Sequence, residues 1–355
     1  MQSCDGAFSL DEIMRLADTY QRKINYLRLS ITDRCNMRCL YCMPEKGVDK
    51  LQHVDILSYE QFLTLARAAV SLGIEKIRVT GGEPLLRKGV VAFLEQLARI
   101  DGLQKLVVTT NGVNLTGMAG ALRDAGVQRL NISLDSLQPT RFQQVTRRDY
   151  LNKVLAGIDA AERVGLPYKI NMVVMRGIND DEIYDFAALT QQRRCVVRFI
   201  EYMPTLKDEN WQALVVPGEE VFKRLVGRLD LRPYDRGTLA GPAREFTIDG
   251  AAGRIGVIAP LSGHFCKDCN RIRITATGQV RTCLFADEEF DLKPLLAAGD
   301  EAVIAQELRR LVNQKPAGHH LNGCAAGHAA FSMAQVGGAR NREGWTWIFP
   351  RRSPR

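Results

Sequence analysis

Two hydrophobic periods take turns along the first two thirds of the chain. In Leu27-Arg28-Leu29-Ser30-Ile31-Thr32 every second residue is apolar and the end is β-branched, which predicts a buried strand. Residues 59–72 carry the helical period and stop at Gly73, a C-cap position. The same reading predicts strands over 74–80, 103–110, 129–134, 168–174 and 196–202. Helices are predicted over 89–100, 116–125, 152–164 and 181–190, two of them closed by Gly126 and Gly165. Residues 11–20 predict a short amphipathic helix with Leu10, Ile13, Leu16 and Ala17 on one face. Six strand–helix units in succession mean an α/β fold, a parallel sheet with both faces covered. A barrel and a doubly wound sheet both satisfy this pattern, and polar residues gathered at strand C-termini suit either.

After about residue 235 the rhythm changes. Gly and Pro cluster in Gly237-Thr-Leu-Ala-Gly-Pro242, and short strands are predicted over 244–248, 254–258, 271–275 and 279–284, with Thr277-Gly278 as a hairpin turn. A helix follows over 300–313. The expected organisation is an N-terminal helical segment (1–21), a barrel-like region (22–235), a C-terminal region (236–338) leaning on its open side, and a basic tail (339–355) expected to be flexible.

A chain of 355 residues buries a full core and exceeds one average domain. The formal charge of +8 favours anionic partners, with nucleic acid and a phosphate-rich small molecule both open. Nine cysteines, no apolar h-region before Tyr20 and no run of eighteen apolar residues point to a reducing, cytoplasmic setting without a membrane partner. Cys4, Cys195 and Cys324 fit no ligand set and read as ordinary thiols.

The chemistry starts at Cys35-Asn-Met-Arg-Cys39-Leu-Tyr-Cys42. Three thiols in C-x3-C-x2-C spacing can converge on one inorganic centre from a single loop. A cubane ordinarily takes four thiolates, so a set of three leaves one iron open. Structural zinc prefers four closed ligands in paired knuckles, and an odd trio cannot pair as disulfides. The loop follows the first predicted strand, where α/β barrels build their sites. At the end of the next strand lies Gly81-Gly82-Glu83-Pro84. Its glycines permit close backbone approach, and Glu83 could accept hydrogen bonds from a cation. A second set, Cys266-Lys-Asp-Cys269 and Cys283, again offers three thiols, and His264 could complete a zinc site instead. Arg271 and Arg273 fall on one face of a predicted strand, where phosphate is the natural partner of two guanidiniums.

The triad and the Gly81–Pro84 segment closely resemble the radical S-adenosylmethionine superfamily. That resemblance implies a partial (β/α)6 TIM-like barrel and a [4Fe–4S] cluster whose open iron chelates S-adenosylmethionine. The resemblance narrows with Leu27 to Pro44, Arg198-Phe-Ile-Glu-Tyr-Met-Pro204, His264-Phe-Cys-x2-Cys-Asn-Arg-Ile-Arg-Ile-Thr, Thr282-Cys283-Leu and Lys315-Pro-x2-His319. These are similar to the MoaA family, the GTP 3′,8-cyclases of molybdenum cofactor biosynthesis. The family implies that Cys35, Cys39 and Cys42 hold one [4Fe–4S] cluster and Cys266, Cys269 and Cys283 a second. It implies S-adenosylmethionine contacts at Tyr41, Gly82, Ser133 and Met203, and GTP contacts at Arg28, Arg78, Thr109, Lys169, Arg271, Ile272 and Arg273. Arg28, Arg271 and Arg273 are the expected catalytic arginines. A deoxyadenosyl radical would take the ribose 3′ hydrogen, C3′ would attack guanine C8, and the product would pass to a separate cyclic pyranopterin monophosphate synthase. An external electron donor is implied, and a homodimer is left open. The family typically ends in Gly-Gly, whereas Gly337-Gly338 is followed here by seventeen residues with five arginines, Trp345 and Trp347. The alternatives are a radical enzyme that modifies a peptide and carries an auxiliary cluster, and a zinc-stabilised nucleic-acid-binding protein.

Overall fold

The computed structural model describes residues 16–203, 211–235, 237, 239–286 and 288–319. The tail, Gly337-Gly338, Cys4, Cys324, Leu10 and Ile13 lie outside them. Six parallel strands run side by side in chain order: β1 (Tyr26–Ser30), β2 (Lys76–Thr80), β3 (Lys105–Thr110), β4 (Arg129–Ser133), β5 (Tyr168–Val174) and β6 (Val196–Glu201). The later strands continue this sheet from both ends. β9 (Arg254–Ile258) pairs parallel with β6, and β10 (Arg271–Ile274) pairs parallel with β1. Antiparallel strands flank them. These are β8 (Arg244–Ile248) and β7 (Leu231–Tyr234) beyond β9, with β11 (Gln279–Arg281) and β12 (Phe290–Asp291) beyond β10. The result is one unclosed twelve-stranded sheet, an incomplete α/β barrel with antiparallel wings.

Crossover helices cover the outer face: α1 (Tyr59–Ser71), α2 (Val90–Ala98), α3 (Ala119–Asp124), α4 (Pro139–Thr146), α5 (Leu151–Arg163), α6 (Ile183–Gln192) and α7 (Gly218–Val226). Two more, α8 (Lys293–Ala298) and α9 (Glu301–Val312), follow the last strands. A full capping box starts α1, with Ser58 Oγ accepting from Gln61 N and the Gln61 side chain returning to Ser58 N. Asp300 caps α9 by accepting from Ala302 N and Val303 N. The alternate apolar residues of the strands (Leu27 and Leu29, Ile77 and Val79, Leu130 and Ile132, Ile170 and Met172, Val197 and Phe199) join the core beneath these helices. Their partners in the alternation face inward.

The pattern misses α4, α7 and α8, and the strands β7 and β12. In α4 only Phe142, Val145 and Thr146 are buried, too few for a visible stripe. The expected helix over 11–20 is also not helical where it is described. Ala17 bridges Lys23, and the Asp18 carboxylate accepts from Tyr20 N and Arg22 N, closing a turn with Gln21 at φ 61°. That local competition for backbone amides displaces the helix.

Candidate active site

The inward-facing residues enclose a cavity of about 570 Å³. Register fixes their order. On β10, β1 and β2, Arg273, Arg28 and Arg78 stand in one row across adjacent strands. One step nearer the strand starts, Arg271, Tyr26, Lys76 and Lys105 form a second row. The Tyr26 ring carries Lys76 Nζ at 4.2 Å and the Arg28 and Arg78 guanidiniums at 5.5 and 5.7 Å, a cation–π stack. Across the cavity, Arg198 Nη2 donates to Asn131 Oδ1 at 2.6 Å, and Arg78 Nη1 reaches Thr109 Oγ1 at 3.4 Å. Arg129, Lys169, Arg194 and Arg254 complete the lining cations, against the single carboxylate of Glu245 among the described residues.

This crowding has an electrostatic signature. Burial, and then the neighbouring Arg78, push Arg28 down to about 9; burial with other arginines holds Arg78 and Arg198 at about 10. Burial likewise brings Lys76 and Lys169 to about 7. Tyr26 goes the other way: burial opposes ionisation, yet Arg78, Arg28 and Lys76 pull its phenol down to about 7. The Nε atoms of Arg28, Arg271 and Arg273 are buried without a hydrogen-bond partner among the described residues. A cavity of this kind is built to receive a polyanion.

At one end lies the first cysteine loop. Leu40 N donates to Val145 O and Arg38 N to Thr146 O, tying the loop to the end of α4; Arg147 Nη1 donates to Arg38 O and Met43 O. Tyr41 Oη donates to Asp135 Oδ2 at 2.7 Å, and Asp135 Oδ1 accepts from Val173 N. Cys35, Cys39 and Cys42 are free thiols. Burial pushes Cys35 up to about 11 and Cys42 to about 12, with the charge of Cys35 adding to the rise at Cys42. Clustered, buried thiols that mutually resist ionisation fit a cationic inorganic centre, which removes that penalty.

Gly81 lines the cavity, whereas Gly82 packs against the loop itself. A Cβ on Gly82 would sit 2.3 Å from Arg34 O, and Gly82 N donates to Thr32 O. Glu83, expected to meet a cation, is instead buried as a hub. It accepts from Thr110 Oγ1, Asn111 N and Leu85 N, and burial raises it to about 7.

Cys266, Cys269 and Cys283 line the same cavity, with His319, Arg271 and Arg273. Arg271 Nη2 donates to Cys269 Sγ at 3.5 Å. Burial opposes ionisation of Cys269, but Arg271, Lys315 and Arg273 outweigh it and hold the thiol at about 6. Lys315 Nζ donates to Arg271 O and Thr282 O; Arg22 donates to Cys266 O, Ala317 O and Pro316 O. The ligand atoms of His264, Cys266 and His319 lie within 4.8 Å of one another, so the alternative His264 ligand is near. His319 Nε2, however, is 2.9 Å from Pro260 O, which can only accept from it.

Of the expected site residues, Arg28, Tyr41, Arg78, Thr109, Ser133, Lys169, Met203, Arg271, Arg273 and the second triad share one cavity. Ile272 turns its side chain into the core, leaving only backbone for a ligand. Tyr26, Lys76, Lys105, Arg129, Arg194, Arg254 and Glu245 were not foreseen. For four of them the signal was a polar residue an even number of positions before an expected one on the same strand: two at Tyr26/Arg28 and Lys76/Arg78, four at Lys105/Thr109 and Arg129/Ser133.

A partial α/β barrel with a three-thiol loop after its first strand is the architecture of radical S-adenosylmethionine proteins. The Radical SAM superfamily model matches residues 29–190, and the Molybdenum Cofactor Synthesis C model residues 195–321. A GTP 3′,8-cyclase of Geobacter sulfurreducens is 58% identical over 92% of this chain and all of its own length. One of Moorella thermoacetica is 47% identical over 91% of this chain and all of its own. The chain belongs to the GTP 3′,8-cyclase family. Streptococcus suis SuiB bound to S-adenosylmethionine superposes with a TM-score of 0.53 over 80% of this chain and 67% of its own. At 14% identity this is a likeness of fold. No described helix is long and apolar enough to cross a membrane.

Proposed function

We propose that the protein converts GTP to 3′,8-cyclo-7,8-dihydroguanosine 5′-triphosphate, the first step of molybdenum cofactor biosynthesis. The observation that carries this reading is the cation-lined cavity running from Tyr41, Ser133 and Met203 to the second cysteine triad. Cys35, Cys39 and Cys42 would hold a [4Fe–4S] cluster that, reduced by an external donor, would pass one electron to bound S-adenosylmethionine and so give methionine and the 5′-deoxyadenosyl radical that removes the ribose 3′ hydrogen.

The chain's own residues orient and shield. Tyr41, fixed by Asp135, and the neighbouring Ser133 and Met203 are the cofactor contacts we assign, with the Gly82 backbone holding the loop beneath them. Arg28, Arg78, Thr109 and Lys169 take the triphosphate; the two arginines are charged already, and the phosphate's negative charge draws Lys169, near 7 on its own, to its protonated form. Cys266, Cys269 and Cys283 fit a second [4Fe–4S] cluster, since Cys269 is already held as thiolate, and the guanine lies there beside Arg271 and Arg273. These arginines and Arg28 neutralise charge as the ring forms. Electrons come from an external donor, and the product goes on to cyclic pyranopterin monophosphate synthase.

The test is an anaerobic incubation with GTP, S-adenosylmethionine and a strong reductant, followed by chromatography for a new species isomeric with GTP. Cofactor cleavage that does not depend on GTP, with no isomer of GTP resolved from the substrate, would overturn the reading and favour a peptide substrate.

A further inference from the structure

The cavity holds eleven lysines and arginines and one carboxylate among the described residues, and that carboxylate is placed with some care. Glu245 lies on β8, opposite Gly256 of β9. A Cβ at 256 would press on both Glu245 Cγ and Arg198 Cγ at 3.2 Å, so the missing side chain is the opening through which Glu245 reaches inward. Its Oε1 meets Lys169 Nζ at 2.5 Å, and its Oε2 lies 4.0 Å from Arg254 Nε. The carboxylate side chain is 2% exposed, so water screens the pair little.

We propose that Glu245 is a specificity-determining residue that sets how much negative charge the cavity accepts, acting as a built-in counterion at the position a substrate phosphoryl group takes on Lys169. This rests on the reading that Lys169 binds the polyphosphate. A phosphoryl oxygen on Lys169 comes within a few ångströms of Glu245, where like charges repel strongly at low effective dielectric. The pair must therefore part before the phosphate seats. A ligand with too little charge cannot part it, and nucleosides and monophosphates leave it closed. Lys169 bears on the conditions, since burial and Arg198 depress its pKa while Glu245 raises it. Removing the carboxylate favours loss of that proton, so binding is compared at pH 6.

Anaerobic calorimetry of the cluster-loaded enzyme with guanosine, GMP, GDP and GTP tests this, using the parent, Glu245→Gln and Lys169→Gln. Glu245→Gln is expected to tighten GTP roughly tenfold, GDP less, and to leave guanosine, which has no phosphate, within about twofold. Weaker GTP binding in Glu245→Gln, or the same shift for all four ligands, would overturn the proposal. Lys169→Gln separates the two ideas. Weakened GTP binding keeps Lys169 as the phosphate contact whatever Glu245 does, whereas unchanged binding removes the underlying reading and the proposal with it. Should Glu245→Gln fail to fold, a structure of the parent with GTP decides: a Lys169–Glu245 contact still closed refutes the counterion role, and one opened by phosphate supports it.

Discussion

Arg22 joins three separate pieces of chain, and its removal should be felt at the second cysteine triad. Its Nε pairs with Asp18 Oδ2 at 2.6 Å, while Nη1 donates to Cys266 O at 2.8 Å and Ala317 O at 2.9 Å, and Nη2 to Pro316 O at 2.6 Å. The two side chains are 6% and 0% exposed. Breaking a buried pair by removing one partner costs about 3–5 kcal/mol, because the other charge is left without compensation. Against a total of about 5–15 kcal/mol that is a large share. Arg22→Ala is therefore expected to lower the urea-unfolding free energy by about 3–5 kcal/mol. It should also loosen the loop carrying Cys266, so that, on the proposed two-cluster reading, anaerobically reconstituted protein falls from about eight irons towards about four. Asp18→Asn combined with Arg22→Met removes the orphaned charge and should recover part of the stability but not the iron. An Arg22→Ala protein within about 0.5 kcal/mol of the parent, with its iron intact, would show that the clamp does not hold the triad.

Gly82→Ala should cost about 1–3 kcal/mol or more, because its Cβ meets the Arg34 backbone rather than a flexible side chain; a lowered melting temperature together with loss of first-cluster iron is the signature. Cys266→Ser should remove about half the iron and the cyclised product while leaving some uncoupled S-adenosylmethionine cleavage, measured as 5′-deoxyadenosine. The crowded cations of the cavity should also make stability depend on pH. Lys76 and Lys169 sit near 7 in the folded chain, well below their unfolded value, and Tyr26 near 7 is also below its own. Between pH 7 and 8.5 the unfolded state thus binds more protons, and cluster-free, GTP-free protein should grow more stable to urea as pH rises across that window. Saturating GTP should flatten or reverse the trend.

Much of this was legible beforehand because period and punctuation are local. The six strand–helix units come from alternation and glycine stops, and the opposed faces of Arg271/Arg273 and Ile272 follow from the two-residue repeat of a strand. What stayed hidden depends on register. Nothing local to β1, β2 or β10 tells that Arg28, Arg78 and Arg273 stand abreast, or that Tyr26 is the ring between Lys76 and Arg28. Glu245 was invisible for a related reason, since its meaning comes from the gap at Gly256 and from Lys169, both far off in sequence. The roles of Arg28 and Lys169 came from family resemblance, because a lone cation on a strand says little.

The pairing of β1 with β10 has a consequence for how the molecule is made. Tyr26 meets Arg271 only after nearly all the chain has left the ribosome, so one flank of the first strand waits unpaired through most of synthesis. Premature termination anywhere before β10 would strand that flank as a sticky margin open to a neighbouring chain. Shortened products of this gene should accumulate as aggregates rather than as small working barrels.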